Sequence, residues 1–255
     1  MQNKLYGLIG YPLEHSFSES YFKEKFLREG VSNYKYENFE IPNLENFLSI
    51  IKSQDSFKEL HGFNITMPYK EKIIPYLDSI DETAKEIGAV NTVKIKRIEE
   101  KTLLKGYNTD AFGFEQSLFE NIEKEDIKAF ILGNGGASKA VAYILRKHNI
   151  EYNIISRNKK DDKTFLTYND LTPSLIEAHK LIINTTPLGM SPQIGEIPEI
   201  DINQITKDHI VFDLIYNPSQ TLLLERCKLK GAKTINGFDM LCYQAQESWR
   251  IWNAN

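Results

Sequence analysis

Cysteine occurs only twice in the 255 residues, at Cys227 and Cys242. Two thiols make no disulfide framework, so the chain must fold on packing alone, and a reducing cytoplasm suits it. Both read as small buried hydrophobes rather than nucleophiles. Histidine is also scarce. His15, His61, His148, His179 and His209 are scattered without ligand spacing, so the sequence indicates no metal site. No apolar run is long enough to cross a bilayer, and the apolar part of "MQNKLYGLIGYPLEHS" is too short for a secretory signal. Positive charge is not in excess: 31 Lys and Arg stand against 35 Asp and Glu, a formal net charge of −4. That balance argues against a nucleic-acid partner, which wants a basic face, but leaves room for a small anionic ligand held by local groups. Internal repeats and low-complexity linkers are absent as well.

What is present is a packed composition, 41% hydrophobic and 26% charged, long enough for one large domain or two ordinary ones. "KLYGLIG", "NYKYENFEI" and "LHGFNIT" read as strands. Between them lie a helical pattern over residues 19–30, with Tyr21, Phe22, Phe26 and Leu27 on one face, and a helix "NLENFLSIIKS" capped by Asn43. Strand and helix in alternation predict parallel pairing. "TVKIKRI" and "TLLKGYN" predict an antiparallel hairpin at a sheet edge. A second series starts near residue 126. "IKAFIL", "YNIISRN", "KLIINTT", "HIVFDLIYNP" and "AKTING" read as strands, "TLLLERCKLKG" as a helix, and "GFDMLCYQAQESWRIW" as a closing amphipathic helix. The seam falls between Gly106 and Glu125, in a helix-like stretch.

"ILGNGGAS" is the best-formed local motif. A strand enters, Gly133 permits the turn, Gly135 lets backbone approach a pyrophosphate, and the N–H groups of the outgoing helix face the anion. Ser138 stands where a third glycine is usual. The next strand ends in Ser156 and Arg157, followed by Lys159 and Lys160, where an NAD site usually carries Asp or Glu. A guanidinium there suits a 2′-phosphate, so the reading favours NADP over NAD. The alternative is a solvated turn after a strand.

Polar groups also follow strands in the first half. They are Ser16 and Ser18 in "EHSFS", Thr66 and Lys70 in "NITMPYK", Asn91 in "GAVNT", and Asn108 and Asp110 in "GYNTD". In an open parallel sheet such strand ends converge on a ligand, and hydroxyls, an amide, one ammonium and one carboxylate match a small polyhydroxylated acid. Each residue also has a local reading. The serines and Asp110 could cap helices, the asparagines could hold turns, and Pro68 could open a helix that carries a solvated Lys70.

Eight collinear segments, "YPLEHSFS", "GFNITMPYK", "GAVNT", "GYNTD", "GNGGAS", "NTTPLGM", "DLIYNP" and "NGFDMLCYQAQESW", together resemble the shikimate dehydrogenase family from near residue 5 to near residue 252. The resemblance implies two α/β domains. Residues 1–108 would form a substrate-binding catalytic domain with a mainly parallel sheet. Residues 109–237 would form a Rossmann-like NADP-binding domain, and the final helix, 238–255, would pack on the first. It implies reversible NADPH-dependent reduction of 3-dehydroshikimate to shikimate, a step toward chorismate and the aromatic amino acids, by a cytoplasmic monomer or homodimer. The family's catalytic pair falls on Lys70 and Asp110. Substrate contacts fall on Ser16, Ser18, Thr66, Asn91, Tyr216 and Gln244, besides that pair. Cofactor contacts fall on Gly133, Asn134, Gly135, Gly136, Ala137, Ser156 and Arg157, with Leu214 and Gly237 near the nicotinamide and Glu82 beside them. Departures are Glu19 where proline is usual, Asn134 where alanine is usual, and "SRN" for "NRT". An NAD-using quinate/shikimate dehydrogenase and a non-catalytic dinucleotide-binding regulatory module stay open as alternatives.

Overall fold

A computed structural model describes residues 3–13, 17–53, 57–123, 127–158 and 160–254. The chain divides into two compact units. One comprises Met1–Thr109 with Ala245–Asn255, the other Asp110–Gln244.

The first unit begins with β1 (Lys4–Gly10), α1 (Phe17–Arg28), β2 (Tyr34–Glu40), α2 (Leu44–Ser53) and β3 (Leu60–Ile65). A two-residue β4 (Ser79–Ile80), a short α3 (Glu82–Ile87) and the hairpin β5 (Thr92–Ile98) and β6 (Lys101–Tyr107) complete it. The strand order is β2-β1-β3-β5-β6-β4. β1 pairs in parallel with both neighbours, because a helix returns the chain after each strand, while β5 runs antiparallel to β3 on one side and to β6 on the other. The hairpin is therefore antiparallel as expected but is not the edge. β4 adds outside it, parallel to β6. Asn43 caps α2, its Oδ1 accepting from the Asn46 N–H at 3.0 Å. α1 starts two residues earlier than its pattern suggested. Phe22 and Phe26 are buried, whereas Leu27 is 77% exposed. One position past Phe26 is a turn of about 100°, which carries Leu27 off the apolar stripe.

The second unit is a parallel sheet in the order β12-β11-β10-β7-β8-β9. Its strands are β7 (Ala129–Leu132), β8 (Tyr152–Ile155), β9 (Phe165–Leu166), β10 (Leu181–Asn184), β11 (Ile210–Asp213) and β12 (Lys233–Ile235). Its helices are α4 (Thr109–Phe119), whose first residue belongs to the first unit, α5 (Gly136–Lys147), α6 (Pro173–Ala178) and α7 (Leu222–Leu229). β7, β10 and most of β11 are buried on both faces, so they read as continuous apolar runs rather than alternating ones. α7 is capped by Thr221, which accepts from the Leu224 N–H.

The last helix, α8 (Phe238–Asn253), is shared. Residues up to Gln244 belong to the second unit, and Ala245, Ile251 and Trp252 pack in the first with Tyr6, Phe22, Phe26 and Tyr36. The ring of Trp252 stacks on Tyr6 at 4.7 Å, and its indole N–H donates to the Val93 carbonyl at 3.0 Å. No described helix is long and apolar enough to cross a membrane, and the described residues hold no acidic, histidine or cysteine cluster suited to a metal ion.

Candidate active site and nucleotide loop

In the first unit the sheet register brings the carboxyl ends of β1, β3 and β6 and the amino end of β5 together. Asn64 lies opposite Thr92, which lies opposite Tyr107. The segments beyond these ends are stitched to one another by backbone. The Thr66 N–H donates to the Ile9 carbonyl (2.9 Å), Tyr11 to Met67 (3.2 Å), Val90 to Lys70 (2.7 Å) and Ile65 to Asn91 (2.8 Å). Thr66, Lys70 and Asn91 thus gather at one end of the sheet. Pro68 does not open a helix there. Residues 67–72 form turns, and the first helical residues are a 3-10 turn at Ile74–Tyr76. Lys70 is half-buried, its main chain held by Val90.

Behind this end runs a chain of buried and half-buried neutral polar groups. Ser18, on the first turn of α1, hydrogen-bonds Tyr36. Burial holds the Tyr36 hydroxyl far above the ordinary tyrosine range, so it stays protonated and donates to Asn64 Oδ1 at 2.9 Å. Asn64 Nδ2 donates to Thr92 Oγ1 and Ser248 Oγ, each at 2.9 Å. Thr92 and Ser248 hydroxyls lie 3.1 and 3.2 Å from that of Thr109. Asn91 closes the chain. Its Oδ1 accepts from the Thr109 N–H at 2.6 Å and its Nδ2 donates to Thr109 Oγ1 at 3.0 Å. Asn91 therefore satisfies an open donor at the start of α4, a duty the sequence suggested for Asp110. Asp110, 3% exposed, follows directly in the first turn of that helix. Asn108 serves its loop, donating to the Ala89 carbonyl at 2.9 Å.

Sequence reasoning singled out the two ends of this chain, Ser18 and Asn91, and missed Tyr36, Asn64, Thr92, Thr109 and Ser248 between them. All but Tyr36 stand inside the motifs quoted above, so their signal was there as hydroxyls and an amide beside residues given roles. Ser16 and Lys159 lie outside the described residues. Glu82 is exposed in the first turn of α3. Tyr216, beyond β11, and Gln244, on α8, are half-buried in the second unit.

In the second unit the strand order reverses between β7 and β10, the switch point where open α/β sheets take ligands. The glycine turn sits there. Gly133 has φ +105°, and a side chain on it would meet Thr185 Oγ1 at 2.8 Å and Thr186 Cγ2 at 3.1 Å, so this position admits glycine alone. Gly135 is the N-cap of α5, and its missing side chain leaves open space. Asn134, Gly135, Gly136 and Ala137 surround the helix start, whose N–H groups suit a pyrophosphate. Ser138 is buried on the packed side of α5. Ser156, at the end of β8, is buried and donates to the Asn158 carbonyl at 2.6 Å, while Arg157 is exposed and Lys160 lies over the Phe165 ring at 4.4 Å. No carboxylate stands at that strand end, which fits a 2′-phosphate. Leu214 and Gly237 meet through backbone. A side chain at Gly237 would collide with the Leu214 carbonyl.

The sequence did not single out Asp213, the last residue of β11. It is fully buried and accepts from Thr221 Oγ1 (2.6 Å), Asn184 Nδ2 (3.0 Å) and the Ile215 N–H (3.1 Å). Burial pushes its carboxyl up to about 6 against the pull of those three donors. Burial also lifts the Cys227 thiol to about 12, which leaves it a packed hydrophobe and no nucleophile.

A parallel sheet with a glycine turn at its switch point, joined to a second α/β unit that gathers an ammonium and amides at its strand ends, defines a two-domain dinucleotide-dependent dehydrogenase. Comparison with known proteins narrows this. Residues 8–93 match the family model described as "Shikimate dehydrogenase substrate binding domain". The NADP+ shikimate dehydrogenase of Methanococcus vannielii is 41% identical over 266 residues, covering 97% of this chain and 90% of its own. A crystal structure of a shikimate dehydrogenase in complex with NADP+ superposes with a TM-score of 0.82 at 38% identity, covering 98% and 90% of the two chains. That of the Thermus thermophilus enzyme, in complex with NADP(H) and shikimate, gives 0.82 at 28% identity, covering 98% and 93%. The chain belongs to the shikimate dehydrogenase family.

Proposed function

We propose that this chain catalyses the reversible NADPH-dependent reduction of 3-dehydroshikimate to shikimate, on the route to chorismate and the aromatic amino acids, as a cytoplasmic monomer or homodimer. The observation that carries the reading is the 41% identity to a NADP+ shikimate dehydrogenase across 97% of the chain. That span includes both Lys70 and Asp110. The first unit, with the C-terminal half of α8, is the substrate-binding part and the second the nucleotide-binding part.

Bound NADPH supplies the hydride. Gly133 to Ala137 would hold its pyrophosphate, Ser156 and Arg157 its 2′-phosphate, and Leu214 and Gly237 the nicotinamide end, with Glu82 a further contact. The substrate's carboxylate is met by the hydroxyls of Ser16 and Ser18, and its ring hydroxyls by Thr66, Asn91, Asp110, Tyr216 and Gln244. As the ketone gains an electron pair, negative charge grows on its oxygen. The Lys70 ammonium stabilises that oxygen and delivers the proton, and in reverse takes it away. Asp110 orients the ammonium and holds a ring hydroxyl. The polar chain from Ser18 to Asn91 keeps the substrate side rigid, so little ordering is left for binding.

Nicotinamide absorbance tests this with purified protein, shikimate, and NADP or NAD in parallel. Rapid reduction of NADP, with NAD much slower, is expected. Equal or faster reduction of NAD would overturn the role of Arg157 and favour a quinate-type enzyme, and no reduction of either would remove the substrate assignment.

A further inference from the structure

We propose that Asp213 is a positioning residue for NADP: its buried carboxylate sets the backbone that meets the dinucleotide at two points, the nicotinamide end through the Ile215 N–H and the pyrophosphate turn through Asn184. This role rests on the nucleotide contacts assigned above and adds to them a residue that acts through its neighbours.

The two oxygens of Asp213 have different duties. Oδ1 accepts from the Ile215 N–H and from Asn184 Nδ2, and Oδ2 accepts from the Thr221 hydroxyl. The bond to Ile215, two residues on, closes a turn over Leu214. Within that turn the Leu214 N–H donates to the Asn184 carbonyl at 3.0 Å, and the Ile215 carbonyl accepts from the Gly237 N–H at 3.0 Å. Gly237 has no room for a side chain against the Leu214 carbonyl, so where that carbonyl stands decides where Gly237 can stand. Leu214 and Gly237 are the pair given to the nicotinamide end.

The second arm runs through an amide. Asn184 is fully buried at the end of β10, in register with Asp213. An amide fits its site two ways round, and its neighbours select one. The Asp213 oxygen can only accept from it, so it takes Nδ2 and turns Asn184 Oδ1 toward Thr186, whose N–H donates at 3.0 Å and whose hydroxyl donates at 2.7 Å. Reversed, the amide would set oxygen against the Asp213 carboxylate and nitrogen against the Thr186 N–H. Thr186 and Thr185 are the residues that leave Gly133 no room for a side chain, and the Thr185 hydroxyl donates to the Leu132 carbonyl at 2.7 Å. The glycine turn after β7 thus leans on a carboxylate two strands away.

The third donor leads elsewhere. Thr221 is the N-cap of α7, accepting from the Leu224 N–H at 3.3 Å, and no nucleotide contact is assigned to that helix. The three donors therefore separate two roles. A carboxylate that only stabilised the fold would leave NADP indifferent to which donor is lost. A positioning carboxylate makes NADP sensitive to the Asn184 arm and indifferent to Thr221.

Isothermal titration calorimetry of the full chain with NADP is the test, with urea denaturation of each variant and Michaelis constants for NADP and shikimate beside it. Asp213→Ala and Asn184→Ala are expected to weaken NADP by roughly 10-fold or more, because the loops must then be ordered on binding. The Michaelis constant for NADP should rise with it, and that for shikimate should stay. Asp213→Asn keeps an oxygen toward Asn184 and Ile215 and turns its nitrogen to the Thr221 hydroxyl, which can accept, so it is expected to bind NADP within roughly 3-fold of wild type. Thr221→Val is expected to lower stability and leave NADP affinity unchanged. Should Asp213→Ala fail to fold, Asn184→Ala and Thr221→Val decide between them. Wild-type affinity in Asn184→Ala, a loss in Thr221→Val equal to that in Asn184→Ala, or a shikimate constant that rises in step would overturn the positioning role. Calorimetry needs no turnover, so a chain that binds NADP but does not reduce it with shikimate would remove the reaction assigned above and leave these affinities to decide the role of Asp213. A chain that binds no NADP would overturn both.

Discussion

In the first unit the strand ends are tied by neutral groups, hydroxyl to amide from Ser18 through Asn64 to Asn91, whereas in the second they converge on a carboxylate, Asp213, held by Thr221, Asn184 and the Ile215 N–H. Both arrangements fix loops that leave a sheet. They differ in what proton concentration can do to them. Hydroxyls and amides do not titrate in the ordinary range, so this chain of groups keeps one set of hydrogen bonds at any working pH. Asp213 has two states. Its carboxyl is raised to about 6, so folding favours the protonated form. Its contribution to stability is fully present below the unfolded-chain value near ~4 and is lost as pH rises through about 6.

The comparison breaks at its most reactive point if Lys70 is not the proton donor. Lys70→Ala is expected to lower turnover by roughly 100- to 10,000-fold, with a much smaller change in the Michaelis constant for shikimate. Steady-state kinetics with shikimate and NADP measure both, and turnover that survived would take the reaction away from the first unit's strand end.

Next in size is the carboxylate. Asp213→Asn carries no proton to gain, so the wild type should gain on the variant as pH falls from about 6 to about 4, by on the order of 3 kcal/mol. Urea denaturation of both proteins at several pH values reads this directly. A difference that stays flat would mean that Asp213 keeps an ordinary acidity.

Smallest is the matching change in the neutral chain. Thr92→Val keeps the shape and removes one hydroxyl, at a cost of about 1 to 2 kcal/mol. The same denaturation series should show that cost unchanged with pH. A cost that tracked pH would erase the distinction between the two strand-end arrangements.

The sequence shows much of this fold because β7, β10 and β11 are short apolar runs between turn signals, and because "ILGNGGAS" is a local device whose strand, turn and helix are contiguous. It hides elements whose existence depends on neighbours. β4 and β9 have two residues each, too few for a period, and β4 displaced the hairpin from the edge. Leu27 misled because apolar character was read without its angle on the helix. Site residues followed the same division. Lys70 and Arg157 stand out as charges after strands, whereas Thr92, Thr109 and Ser248 matter only through each other, across as many as 156 residues. Asp213 was overlooked because a carboxylate ending an apolar strand looks like a turn residue until its three donors are seen.

Trp252, stacked on Tyr6 and bonded to Val93, has a consequence for how the chain is made. Ala245, Ile251 and Trp252 complete the aromatic core around Tyr6, Phe22 and Tyr36. On the ribosome, the first unit emerges first yet lacks these side chains until the whole of Asp110–Gln244 has been synthesised, a wait of ~10 s at ~5–20 residues per second. Through that interval the aromatic face of β1 and β2 has Phe22 and Phe26 of α1 for cover but lacks Trp252, while the second unit, continuous in sequence, can close as it appears. The part of the molecule translated first is thus the last to finish folding.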